Sequence, residues 1–254
     1  MTPDTPGGQA IQVEGLRVAF GDFVAIPGLT FIARYGEIHG VIGPNGAGKT
    51  TLLDVITGKT RPREGKVVLD GITDLLRLTE PQIALAGVGR KFQKPSVFEA
   101  LTVRENLELA LRLRQRSILA ELRGWGDPRR AARVDEVLGE IGLEARADAP
   151  AGILAHGQKQ WLEIGMLLMQ RPKLLMLDEP VAGMTDAETA HTADLVRRLR
   201  APDRAILVIE HDMAFVEEIA DRVTVLHEGT PIFEGRMADA RADARVREVY
   251  LGRH

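Results

Sequence analysis

The chain has 254 residues, of which 44% are hydrophobic, 27% charged and none cysteine, and its formal net charge is −3. That composition can bury a sizeable core unaided, and it excludes disulfide staples, Cys-ligated zinc and thiol nucleophiles. The slightly acidic balance offers no basic surface for nucleic acid or an anionic membrane, and the missing cysteines agree with a reducing cytoplasm.

Residues 1–10 are rich in Pro, Gly and Thr, with no basic start leading into an apolar run, and read as a flexible tail instead of a signal peptide. Residues 11–254 read as one domain. Strand-like runs at 12–20, 29–33 and 38–42 are separated by turn signals at Gly21-Asp22, Pro27-Gly28 and Tyr35-Gly36. A Gly-rich turn, 43–48, precedes a helix over 50–57 that ends at Gly58. A further strand at 66–69 is closed by Asp70-Gly71. From about 101 to 143 the chain turns Leu-, Arg- and Glu-rich with helical spacing, broken at 124–128, which indicates a helical insert whose arginines form a solvated face. Residues 158–170 are apolar nearly all round, as in a buried helix. Runs 174–177 and 205–209 are continuously apolar, as in strands covered on both faces of a parallel sheet. The most apolar stretch, 161–177, is interrupted by Glu163, Arg171, Pro172 and Lys173, so no segment spans a bilayer. The outline is α/β: a mixed or parallel core sheet, an N-terminal antiparallel β part and a helical insert.

Two motifs carry chemistry. Gly43-Pro44-Asn45-Gly46-Ala47-Gly48-Lys49-Thr50 follows a strand and opens a helix, the context in which G-x-x-x-x-G-K-T binds phosphate. Glycines let backbone N–H groups approach the phosphates, and the helix start adds its positive end. Lys49 brings a mobile charge to the outer phosphates, Thr50 a hydroxyl for Mg²⁺, and Thr51 completes the binding turn. The second motif, 174–179, is an apolar strand ending in Asp178 and Glu179, two carboxylates that need a cation or polar partners. Asp178 suits Mg²⁺, and Glu179 suits polarisation of the water attacking a γ-phosphate.

Leu154-Ala155-His156-Gly157-Gln158, placed shortly before the second motif, resembles the LSGGQ signature of ATP-binding-cassette (ABC) ATPases. Gln93 resembles the family's Q-loop glutamine, His211 its switch histidine and Phe20 its adenine-stacking ring, with Phe23 a second candidate. The resemblance covers essentially the whole chain. It implies a P-loop NTPase cassette with 11–92 and 171–235 as nucleotide-binding core, about 93–170 as helical signature part and 236–254 as C-terminal tail. It implies that ATP and Mg²⁺ are bound through Phe20 and residues 43–51, with Thr50, Gln93 and Asp178 at the metal and Glu179, His211 and Gln93 catalytic. Ala155, His156, Gly157 and Gln158 would cover the nucleotide of a second cassette in trans. Two departures stand out: Ala155 lacks the signature hydroxyl, and Thr185 stands where many members have aspartate. A hydrogen bond to a charged group contributes roughly 1.5–3 kcal/mol, about tenfold to a hundredfold in affinity.

The strings 57–62, 89–95, 156–166 and 179–186 are similar to urea-transport ATP-binding subunits of the branched-chain amino-acid importer group. The resemblance therefore implies an importer ATPase, peripheral at the cytoplasmic face of the membrane, for urea or a short-chain amide. Its partners would be permease subunits, a second identical or related cassette and, indirectly, a solute-binding protein. Branched-chain amino-acid import, export within the same group and a weakly hydrolysing regulatory module are the alternatives. A non-transport cassette acting on ribosomes or DNA is disfavoured by the single phosphate loop and the lack of a heptad run. Residues 92–98 read either as part of a groove for a membrane subunit or as packing for the chain's own insert.

Overall fold

A computed structural model describes residues 8–91, 96–112 and 128–251. The described strands are β1 (Gln9–Phe20), β2 (Phe23–Arg34), β3 (Ile38–Ile42), β4 (Glu64–Leu69), β5 (Thr73–Asp74), β6 (Val88–Lys91), β7 (Leu174–Asp178), β8 (Ala205–Ile209), β9 (Arg222–His227) and β10 (Thr230–Gly235). They form a four-stranded antiparallel sheet, ordered β2-β1-β4-β5, and a six-stranded sheet, ordered β10-β9-β3-β8-β7-β6. In the second sheet β3 runs parallel to β8 and β9, β7 runs parallel to β8, and β9 turns back antiparallel into β10. Every residue of β3, β7 and β8 is buried, as continuous apolar strands require when both faces are covered. Their pairing aligns Val41 with Ile209 and Asp178 with Ile209, so the carboxyl ends of three neighbouring strands emerge together. Open α/β sheets bind ligands at that end.

The helices are α1 (Lys49–Ile56), α2 (Glu80–Ala86), α3 (Val103–Arg112), α4 (Pro128–Ile141), α5 (His156–Met169), α6 (Asp186–Arg198), α7 (Met213–Ile219), α8 (Met237–Ala242) and α9 (Ala244–Leu251). None is long and apolar enough to cross a membrane among the described residues.

The chain divides into two compact units. One comprises the described residues of Met1–Arg90, Lys173–Glu179 and Arg200–His254; the other comprises those of Lys91–Pro172 and Pro180–Leu199. The first holds the sheets. Ile11, Val13, Leu16 and Phe31 of the antiparallel sheet share a core with Val41, Leu52, Leu53 and Leu207. The second is helical: α4 buries Val134, Val137, Leu138 and Ile141, while α5 buries Leu162, Ile164 and Leu168. Residues 180–199, which the family resemblance placed with the core, belong to this helical unit. The Trp161 indole of α5 donates to Thr192 Oγ1 of α6 at 2.9 Å and lies 4.2 Å from the His191 ring, which fixes α6 to α5.

Two other boundaries differ from the sequence expectation. β1 begins at Gln9, and Ala10, assigned to the tail by composition, is buried. Pro27-Gly28 does not end a strand. Leu16 pairs with Leu29 and Val18 with Ile26, so β2 carries one extra residue there, and a bulge absorbs the Pro-Gly signal inside the strand.

Candidate active site

The Gly43–Gly48 loop leaves β3 and enters α1 at the carboxyl end of the parallel sheet. Gly48 caps the helix at φ +94°, a conformation that disfavours any side chain. At Gly43 a Cβ would lie 2.2 Å from the Leu226 carbonyl oxygen, so a larger residue cannot fit without moving β9. The turn after β9 also supports the loop, for the Gly229 N–H donates to the Ala47 carbonyl at 3.1 Å. Beside the loop a cavity of about 420 Å³ is lined by Phe23–Ala25, Pro44–Ala47, His227 and Glu228. That volume falls within the range of small-molecule sites.

The aromatic wall of this cavity is Phe23, 67% exposed. Phe20 is its direct cross-strand partner at the hairpin end and is 53% exposed. Of the two rings considered from the sequence, the one that lines the cavity is therefore Phe23. Exposed aromatic rings at a hairpin end gain nothing from the core, which suits them to meet a flat ligand.

Lys49 is buried, and its Nζ donates to the Gly43 and Pro44 carbonyls at 2.6 and 3.0 Å. Burial lowers its pKa, opposed by the negative charges of Glu179, Asp178 and Glu210. A cation thus waits at the loop among three carboxylates. Thr50 is exposed and Thr51 half-buried on the first turn of α1.

Asp178, at the end of β7, is almost fully buried. Its Oδ2 accepts from Arg90 at 2.8 Å, and Arg90 also donates to Asp54 at 2.5 Å. The other oxygen, Oδ1, is buried without a hydrogen-bond partner. Such an oxygen is costly unless a ligand meets it, and a hard divalent cation is what a lone carboxylate oxygen beside a phosphate loop holds best. Asp178 Oδ1 and the Thr50 hydroxyl therefore fit Mg²⁺.

Glu179 follows with φ +47°, a left-handed conformation uncommon outside glycine and asparagine. Its N–H donates to the Ile209 carbonyl at 2.9 Å, which anchors the strained residue to β8. Strain of this kind costs on the order of 1–3 kcal/mol and collects at functional sites. His211 Nδ1 lies 3.8 Å from Glu179 Oε1, close but beyond direct hydrogen-bond distance. Beside His211 is Glu210, fully buried, whose Oε2 accepts the His211 backbone N–H at 2.9 Å and lies 3.4 Å from His211 Nδ1. Arg90 and Glu210 were missed by the sequence reading. The one usable signal was a charged residue next to an apolar strand, Arg90 in 89–93 and Glu210 after 205–209. Gln93 lies outside the described residues.

The signature residues belong to the helical unit. Ala155 is the N-cap of α5 and returns half a capping box: its N–H donates to Gln158 Oε1 at 3.1 Å, but no hydroxyl at 155 answers. His156, where the LSGGQ pattern has glycine, is exposed, and its Nε2 contacts the Gln160 side-chain nitrogen at 2.8 Å. Gly157 is buried. Thr185 N-caps α6 with a complete box: its N–H and hydroxyl reach Glu188 Oε2 at 2.9 and 2.8 Å, and its Oγ1 accepts from the Glu188 N–H at 3.3 Å. The threonine that departs from the aspartate pattern is thus a helix cap.

The model of the ABC transporter family matches residues 26–182, which span the phosphate loop, the signature and Asp178-Glu179. The chain is a member of the ABC transporter family. The cassette is 37% identical over 249 residues to the high-affinity branched-chain amino acid transport ATP-binding protein BraF of Pseudomonas aeruginosa, covering 95% of this chain and 97% of BraF. It shows the same identity and coverage to LivG of Escherichia coli strain K12, a protein of the same description. Among solved structures it superposes on MJ1267, described as an ATP-binding cassette of an ABC transporter, with a TM-score of 0.84 at 30% identity over 96% of this chain and 99% of that one. The ADP conformation of MJ1267 matches with a TM-score of 0.83 at 31% identity and the same coverage. The cassette is an ABC-type ATPase.

Proposed function

We propose that the cassette hydrolyses ATP to power an importer, with branched-chain amino acids as the solute class. The observation that carries the ATPase reading is the strand register that brings the carboxyl ends of β3, β8 and β7 together, so that the phosphate loop with Lys49 shares one sheet end with Asp178, Glu179 and Glu210. The solute class rests on BraF and LivG, which resemble this chain over nearly its whole length and are described as branched-chain amino acid transport subunits. That replaces urea or a short amide as the leading reading, since the urea-like strings lie in the ATPase machinery, where no solute is met.

In this reading the loop amides and Lys49 hold the β- and γ-phosphates, and Phe23 or Phe20 packs on the base. Mg²⁺, when bound, supplies positive charge to the β- and γ-oxygens. Asp178 and Thr50 would hold it, while Arg90 keeps the second Asp178 oxygen occupied and so leaves Oδ1 as the oxygen for the metal. Glu179 takes a proton from the attacking water, and His211, steadied by Glu210, donates to the γ-phosphate. Gln93 would contribute a ligand to the metal and sense the membrane partner, as the family resemblance implies. The amides of α5 at Ala155–Gln158 cover the nucleotide of a second cassette, so catalysis belongs to a pair that works on permease subunits at the inner face of the membrane.

The test is Glu179→Gln. General-base catalysis contributes about 10²–10⁴-fold, so turnover should fall by that factor while ATP binding persists and an ATP-dependent dimer accumulates on gel filtration. Normal turnover would remove Glu179 from its role. Uptake into vesicles carrying the partner permeases, with radiolabelled leucine against urea, decides the solute.

A further inference from the structure

One carboxylate in the helical unit joins two segments that the ATPase reading treats separately. Glu188 Oε2 holds both the N–H and the hydroxyl of Thr185, closing the capping box of α6. The same carboxylate lies against the Gly157 backbone of α5, and the Gly157 N–H helps to hold the Glu188 pKa down, after the larger effect of the Thr185 bonds. The geometry at Gly157 is tight, since a Cβ there would lie 2.7 Å from Glu188 Oε1 and 3.0 Å from its carboxyl carbon. Glycine is thus the residue that lets the carboxylate reach the backbone. A second tie runs alongside, from the fully buried Gln160 of α5 to the Ala182 carbonyl at 3.4 Å. The first tie reaches Thr185 through Glu188 and the second reaches Ala182 directly, so both connect the start of the signature helix with the segment that leaves Glu179.

Gly157 is one of the residues whose amide, in the proposed function, faces a γ-phosphate held by the second cassette. In the unpaired chain a carboxylate already lies beside that amide. A charged acceptor on a backbone N–H is roughly twice as strong as a neutral one, so the phosphate has to displace a matched competitor.

We propose that Glu188 is a positioning residue for ATP-driven pairing: its carboxylate occupies the Gly157 amide until the γ-phosphate of the partner's nucleotide takes it. This rests on the reading that the signature residues act in trans. On release Glu188 keeps its bonds to Thr185, so α6 stays capped while its bond to the signature helix is broken. Occupation of one chain's signature is thereby reported to the segment that leaves the same chain's Glu179.

The experiment compares full-length Glu179→Gln with Glu179→Gln/Glu188→Gln, titrating ATP and reading the dimer fraction by analytical ultracentrifugation, with ADP binding and Tm measured in parallel. Glutamine is accepted at this capping-box position, so the fold is retained, but a neutral acceptor releases Gly157 more readily. The expected result is a half-maximal ATP concentration about threefold to tenfold lower in the double variant, the span between charge-assisted and neutral bonds, with ADP affinity unchanged. An unchanged or higher ATP requirement, with dimers forming normally, overturns the proposal and leaves the trans reading intact. An ADP affinity that moves with the ATP requirement overturns it too, because Glu188 would then act through the fold. If neither variant pairs with ATP, the trans reading fails and the proposal goes with it.

Discussion

Replacing Arg90 by methionine tests how Asp178 is held. The Arg90 side chain is 4% exposed and bridges Asp178, 3% exposed, and Asp54, 19% exposed. Methionine fills a similar volume but leaves two carboxylates without their cation. Removing one partner of a buried pair costs about 3–5 kcal/mol, and Asp178 should account for most of it because water still reaches Asp54. In a chain of this size each kcal/mol moves Tm by roughly 2–4 °C, so a fall of roughly 6–20 °C is expected by calorimetry. Adding Asp178→Asn removes the stranded charge. The double variant should therefore be more stable than the sum of the two single losses implies, with a coupling of roughly 1–3 kcal/mol. A Tm drop below 2 °C, or losses that simply add, would show that the bridge contributes little.

Ala155→Ser restores the missing half of the capping box and should stabilise α5 by about 0.5–2 kcal/mol, visible as a Tm rise; the same hydroxyl should lower the ATP needed for pairing, and a rise in Tm alone would confine it to capping. Gly43→Ala places a Cβ against the Leu226 carbonyl, so ATP binding by fluorescence titration should be lost, and near-normal affinity would show that β9 yields freely. The chain has two tyrosines. Burial, then the bond to Asp70, pushes Tyr35 above its usual range, and burial pushes Tyr250 up to about 12. Both protons are held more tightly folded than unfolded, so this stability is complete below pH ~10 and lost as pH rises through the folded values. Absorbance at 295 nm should show no tyrosinate inflection near pH 10 in the native protein, and one should appear there in denaturant.

The buried strands β3, β7 and β8 and the phosphate loop were legible because each is a local pattern, an apolar run or a fixed glycine spacing. What sequence could not yield was decided by distant partners. Pro27-Gly28 looks like a terminator until β1 supplies the pairing that makes it a bulge. Arg90 looks like an ordinary charge until the fold sets Asp54 and Asp178 beside it. Glu210 looks like the polar end of a strand, yet it is fully buried beside His211. The membership of 180–199 turned on Trp161 finding Thr192 and His191, contacts that no periodicity announces.

The β9–β10 hairpin is the edge of its sheet, normally the part of a domain freest to vary. Here its backbone is the floor beneath the nucleotide loop, with the Leu226 carbonyl against Gly43 and the Gly229 amide on Ala47. Insertions or tags at 228–229 would consequently behave as active-site mutations, and a binder that clamps this hairpin would act on the phosphate loop through its backbone support as well as at the cavity wall that His227 and Glu228 form.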